Sequence, residues 1–236
     1  MGGKVIADKL EKTNSSAEQK EVVPFSFDLF TVTWFFVLFS AIGFLGEGLW
    51  SVLNYGNWAD HYSLVWGPFT IIYGFAVIGL MALYKVLGRK NFAVQFLACF
   101  VAGSALEYVF SFLQELVFKS TSWDYSRLPL NLNGRICIKM SIIWGVVGLV
   151  FLRLVAPKLV KFTKYFRGSI MNFLGFALFV FMVINFSVSI MAASRFTDRH
   201  FGIEANSSLD KLLDDRFPDE RMRSIYYNMV FVDERK

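Results

Sequence analysis

The chain has 236 residues, of which 55% are hydrophobic and 18% charged, with 27 Phe and a formal net charge of +5. A mean hydropathy of +0.47 excludes an ordinary soluble domain, and so modest a charge gives no reason to expect a nucleic-acid partner. An all-α, polytopic membrane helix bundle remains, because the strand alternation of an outer-membrane barrel is missing.

Residues 1–28 form a polar leader with Lys4, Lys9, Lys12 and Lys20, expected to be cytoplasmic. "MGGKVI" lacks the Ser or Thr that a myristoylation signal needs at position 6. Five windows then come close to the about 20 apolar residues that span a hydrocarbon core: roughly 29–53, 64–84, 93–118, 136–155 and 168–193. The first lies too far into the chain, and is too long, for a cleaved signal peptide. The expected domains are this leader, a five-helix region 29–193 and a short soluble amphipathic tail 194–236.

In the first span Gly43, Gly46 and Gly48 allow close helix approach, and Glu47 interrupts the apolar run. The connection 54–63 has no Lys or Arg. The next carries Lys85, Arg89 and Lys90, and the fourth carries Lys158, Lys161, Lys164 and Arg167. By the positive-inside rule the N-terminus is cytoplasmic and, after five spans, the C-terminus lies outside.

Glu107 and Glu115 lie in the third span. An acid at helix mid-depth costs about 2.5 to 3.5 kcal/mol on insertion scales, so it is expected to face protein or water. At about 1.5 Å per residue Glu107 lies roughly 16 Å below the outer end of its helix and Glu115 about 4 or 5 Å below it. Eight residues place the two about 80° apart, so both can border one cavity.

The connection "WDYSRLPLNLNGR" at 123–135 holds more polar and aromatic groups than a turn requires. Asn131, Asn133 and Gly134 favour a tight turn; Trp123, Asp124, Tyr125 and Arg135 add chemistry. An outward pocket floored by Glu107, with Glu47 on its wall and this loop as its lid, is the site expected. Arg135 and Arg127 are the nearest cations for its acids.

Cys99 and Cys137 are expected near opposite membrane faces, unpaired. His61 and His200 have no partners at metal-ligand spacing, and no metal or other cofactor is expected. In the tail, Ser208, Leu209, Leu212 and Leu213 suggest a short amphipathic helix ended by Pro218. No internal repeat is visible, although a homo-oligomer could supply symmetry.

"WGPFTIIYGFA" at 66–76, "LEYVFSFLQELVF" at 106–118, "WDYSRLPLNLNGRICIKMSIIWGVVG" at 123–148 and the ending "FPDERMRSIYYNMVF" resemble the ABC-transporter type IV (CmpB-like) family. The likeness implies a bacterial multi-pass cell-membrane protein and a permease-like component working with a separate ATPase subunit. Its motif also marks Tyr73, Tyr108, Ser141 and Trp144, together with Gly67, Pro68, Gly74, Ser126 and Gly145. The chain departs from the family at His61, Tyr62 and Ser63, where Asn-Arg-Gly is usual, and at Ile71 and Ala76. It has no Walker motif of its own.

Three functions fit these residues. A transport component would admit a small polar solute to the Glu107 pocket. A membrane enzyme at the outer leaflet would use Asp124 or Glu107 as general base, with Arg135 and the asparagines holding an anionic envelope or lipid-linked substrate. A scaffold or sensor would bind a partner through the loop and tail.

Overall fold

The computed structural model describes residues 27–234. All but the last residues of the expected leader, including its four lysines, lie outside them. Five apolar helices form the bundle: α1 Leu29–Tyr55, α2 Ile71–Leu87, α3 Phe92–Phe118, α4 Ile138–Phe166 and α5 Ser169–His200. Four are long and apolar enough to cross a membrane; α2 has 17 residues and is about 26 Å long.

The second apolar window begins at residue 64, yet its helix begins only at Ile71. Pro68 disfavours helix at the residue before it, and Gly67 takes φ +80°. The start of this non-helical segment is nevertheless buried, with Leu64 1% and Val65 7% exposed, whereas Trp66, Gly67 and Pro68 are exposed. Irregular backbone inside a bundle is stable only if protein satisfies its polar groups. Ser189 and Asn185, one turn apart on α5, do this. Val65 N–H donates to Ser189 Oγ (2.9 Å), Trp66 N–H to Asn185 Oδ1 (3.3 Å), and Asn185 Nδ2 donates to Trp66 O (2.7 Å). On the other side, Thr70 N–H donates to Ser40 O of α1 at 3.0 Å.

α4 has a π-helical segment at Phe151–Val155. Pro157 follows it; a proline cannot donate to the carbonyl four residues back and clashes with it. The wider turn accommodates this. It also carries Arg153, whose Nε donates to Gln95 Oε1 (2.6 Å) and whose Nη2 donates to Lys90 O (3.0 Å), with the guanidinium 4.0 Å over Phe92. Gln95, fully buried, donates in turn to Leu87 O at 2.8 Å.

The helices alternate in direction, so the bundle has two distinct ends. The basic end gathers Lys85, Arg89, Lys90, Lys158, Lys161, Lys164 and Arg167. The loop end holds residues 56–70, residues 119–137 and the tail. At about 48 Å, α5 is longer than a hydrocarbon core of about 30 Å, and its last turns carry the tail. There α6 (Ser208–Arg216) begins with a capping box, Ser207 Oγ accepting from Asp210 N–H at 3.0 Å while Asp210 accepts from Ser207 N–H at 2.9 Å. The cap lies one residue before the expected Ser208. Of the three leucines, only Leu213 is buried; Leu209 and Leu212 face outward.

α7 (Asp219–Ile225) starts at Pro218. The following strand β4 (Val230–Phe231) pairs antiparallel with β1 (Ser120–Thr121), Ser120 opposite Phe231. Phe196, Phe217, Met222 and Phe231 form one apolar cluster with Val65 and Ala192. Arg195 binds Asp214 (2.9 Å), and Arg199 binds Asp214 and Asp219. Tyr227 Oη lies 2.9 Å from His61 Nε2. The tail is thus packed onto the loop end rather than extending from it.

Candidate functional site

Glu107, in the middle of α3, is 5% exposed. Each carboxylate oxygen holds one neutral donor: Tyr125 Oη donates to Oε1 at 2.8 Å, and Trp144 Nε1 to Oε2 at 2.7 Å. Among the described residues no basic side chain is paired with it. Arg135 is instead paired with Glu115, Nη2 to Oε2 at 3.1 Å. The two acids of α3 therefore lie under the same loop in different surroundings, one with neutral donors and one with a cation.

Glu47, on the loop-end half of α1, accepts from Tyr73 Oη. Tyr73 Oη also lies within electrostatic reach of Glu107 and Tyr125, so the two glutamates share one polar neighbourhood across α1, α2 and α3. The two halves are built alike. Gly43 precedes Glu47 by one turn, and Gly103 precedes Glu107 by one turn. A Cβ on Gly103 would come within 2.6 Å of Trp144 Cβ and Cγ, and one on Gly43 would overlap the Tyr73 ring. Each glycine makes room for an aromatic ring from the neighbouring helix, and the polar tip of that ring reaches the glutamate one turn on. The G-x-x-x-E spacing, present twice, is a sequence signal of this arrangement.

Loop geometry fixes the lid. β2 (Asn131–Leu132) pairs with β3 (Ile136–Cys137), with Leu132 opposite Ile136. Asn133 (φ +54°) and Gly134 (φ +67°) make the turn between them, in the left-handed region that Asn and Gly enter most readily. Asn131 Nδ2 donates to Ser126 O (3.1 Å) and Leu128 O (2.8 Å), and its Oδ1 accepts from Gly134 N–H (3.0 Å). Asp124 accepts from Ser126 N–H (2.8 Å) and Ser126 Oγ (3.1 Å). Trp123 Nε1 donates to Arg135 O at 3.0 Å.

These contacts answer what each polar loop residue is for. Asp124, Asn131 and Trp123 hold the loop's own backbone. Asn133, Arg135 and Tyr125 hold it onto α3: Asn133 Nδ2 donates to Tyr108 Oη at 2.9 Å, and Arg135 lies over Tyr108 and Phe112 at 5.6 and 5.5 Å. Only Tyr125 reaches Glu107. Burial, then the neighbouring Glu107 carboxylate, push the Tyr125 hydroxyl well above its usual value, so it stays a proton donor. Arg127 is exposed.

Ser141, marked by the family likeness, accepts from Ser104 Oγ at 2.7 Å and knits α4 to α3 beside the site. Asn185, Ser189, Gln95 and Arg153 were not singled out from the sequence, although polar residues at four-residue spacing in an apolar span (Asn185, Ser189) mark a buried polar stripe. The chain's two cysteines are both buried and free, and among the described residues no group of His, Cys, Asp and Glu is arranged to hold a metal ion.

No curated protein and no solved structure matches the chain. A family model does match, over residues 34–190, which span α1 to the middle of α5 and include Glu47, Tyr73, Glu107, the 123–135 loop and Trp144. The chain is a membrane protein of the family described as "Putative ABC-transporter type IV".

Proposed function

We propose that the protein is the membrane-spanning component of a transporter, and that the Glu47–Tyr73–Tyr125–Glu107–Trp144 cluster is where a small polar solute is held. The observation that carries this reading is Glu107: a carboxylate about 16 Å below the loop end of α3 that two neutral side chains orient and with which, among the described residues, no basic side chain is paired. A carboxylate has about four acceptor positions, so Glu107 keeps capacity for a solute's donors while Tyr125 and Trp144 fix its direction. An ionisable group kept at membrane depth is a functional feature by default, because its insertion is costly.

The basic end faces the cytoplasm under the positive-inside rule, which places the loop and tail outside a bacterial cell membrane. A separate ATPase subunit would dock at the basic end. Asp124, one of the general bases an enzymatic reading would use, has both carboxylate oxygens held by Ser126 within the loop, which favours the transport reading.

Glu107→Gln tests this directly. The glutamine carbonyl can still accept from Trp144, and its amide can donate to the Tyr125 oxygen, so folding should survive while the charge is lost. Uptake of the transported solute in cells should then fall to background with membrane abundance unchanged. Wild-type uptake across a panel of polar solutes would overturn the reading. Recovery of an ATPase subunit at near-equal stoichiometry in a mild-detergent pull-down would identify the energy source.

A further inference from the structure

A cavity of about 320 Å³ lies between α1, α2 and α5. Leu29, Phe75, Phe179 and Val183 line it, and it has no free hydrogen-bonding wall. Its two hydroxyls, Thr33 and Ser187, each donate at 2.8 Å to a carbonyl of their own helix, Leu29 O and Val183 O. It is not sealed: Phe75 and Val183 remain 41% and 49% exposed, so it opens sideways from three membrane helices. A polar solute gains nothing here, whereas a hydrocarbon chain loses nothing.

The end of this groove toward the basic end is charged. Ile78 of its wall and Lys85 are seven residues apart, two turns of α2 and within about 20° of the same face. Lys85 Nζ lies 5.6 Å over the Phe27 ring, two residues before Leu29. Arg167 stands two residues before α5 and next to Phe166, whose ring stacks on that of Trp34 in α1 at 5.5 Å. Asp28, the acid at this mouth, is already held by Thr31 N–H and Oγ1, both at 2.9 Å. Two cations therefore stand at the basic end of the helices that enclose this apolar slot.

We propose that this groove holds an acyl chain of an anionic phospholipid from the leaflet at the basic end, its phosphate seated between Lys85 and Arg167. Charge selects this occupant over a second copy of the chain. A two-fold dimer through this face would bring Lys85 and Arg167 close to their own copies, while an anionic headgroup neutralises them.

Native mass spectrometry of the full chain in detergent, titrated with phosphatidylglycerol or with phosphatidylcholine of the same acyl chains, tests the site. Wild-type protein should retain one phosphatidylglycerol well beyond phosphatidylcholine. Lys85→Gln and Arg167→Gln should each weaken phosphatidylglycerol retention about fivefold, the attraction of one basic residue at a membrane surface, with phosphatidylcholine unchanged. Val183→Trp, which fills the slot, should remove the retained lipid of either kind. Should that variant fail to fold, the two surface charge variants still decide the matter. Equal retention of the two lipids by wild type, or unchanged phosphatidylglycerol retention in both charge variants, would overturn the proposal. So would a stable dimer joined by a disulfide through Val183→Cys.

Discussion

Tyr125 Oη donates to Glu107 Oε1 at 2.8 Å, so the loop between α3 and α4 is tied to a carboxylate about 16 Å down its helix. Through this bond the lid and the buried acid are one unit. Tyr125→Phe keeps the ring and removes the donor, leaving one carboxylate oxygen short of a partner. A hydrogen bond to a charged group contributes about 1.5 to 3 kcal/mol, so the melting temperature in detergent should fall. Amide exchange should rise in residues 123–135 and stay unchanged in α5. Unchanged exchange in the loop would show that Asn133 and Arg135 alone hold it down.

The paired glycines give a sharper contrast. Gly43→Ala and Gly103→Ala each place a methyl group where Tyr73 or Trp144 sits, and overpacking of this kind costs about 1 to 3 kcal/mol. Gly46→Ala, on the same helix as Gly43, meets nothing within 4 Å. It should be neutral or stabilising, since Ala is favoured over Gly in a helix by up to about 1 kcal/mol. Thermal unfolding of the three variants side by side checks this. Equal melting temperatures for Gly43→Ala and Gly46→Ala would contradict the close packing of Tyr73.

Asn185 holds both backbone groups of Trp66. Asn185→Leu removes the partners of a part-buried N–H and C=O, at up to about 1 to 3 kcal/mol each, and should loosen the segment before α2. Asn185→Asp keeps the acceptor for Trp66 N–H but loses the donor to Trp66 O, so its effect should be different in kind. Protease cutting near Gly67 should increase for the leucine variant above wild type.

The tail's attachment should depend on acid pH. The hydrogen bond from Arg195, reinforced by Arg199, holds the Asp214 carboxyl below its ordinary value of 3.8. A folded-state value below the unfolded one stabilises the docked tail above about pH 4. That contribution is lost as pH falls through the lowered folded value. Protection of the amides of residues 208–225, measured against their intrinsic exchange rates, should therefore hold from neutral pH down to about pH 4 and fall below it. Asp214→Asn should abolish this pH dependence and leave exchange fast throughout.

Much of the architecture is legible in the chain itself. Apolar run length sets the helices, because only a helix satisfies its own backbone in lipid. The Lys and Arg bias sets the two ends. Asn133 and Gly134 set the loop's turn, because the left-handed conformation is costly for other residues. Glu107 stands out because a charge at that depth has no cheap explanation.

Pairing was decided only in three dimensions. Periodicity places Glu107 and Glu115 on neighbouring faces of α3, but which receives Arg135 depends on where a hairpin bends, and the structure gives the cation to Glu115. Hydropathy includes residues 64–70 in a span, yet whether they are helix depends on Asn185 and Ser189, more than a hundred residues away. The tail's composition reads as soluble with a short amphipathic helix, but which surface it packs on is set by β1, Arg195 and His61, which fold it back over the loop end. Run length and charge bias are local quantities that a sequence states outright. The partner of a buried polar group is set by contacts between distant segments, and the folded bundle alone supplies them.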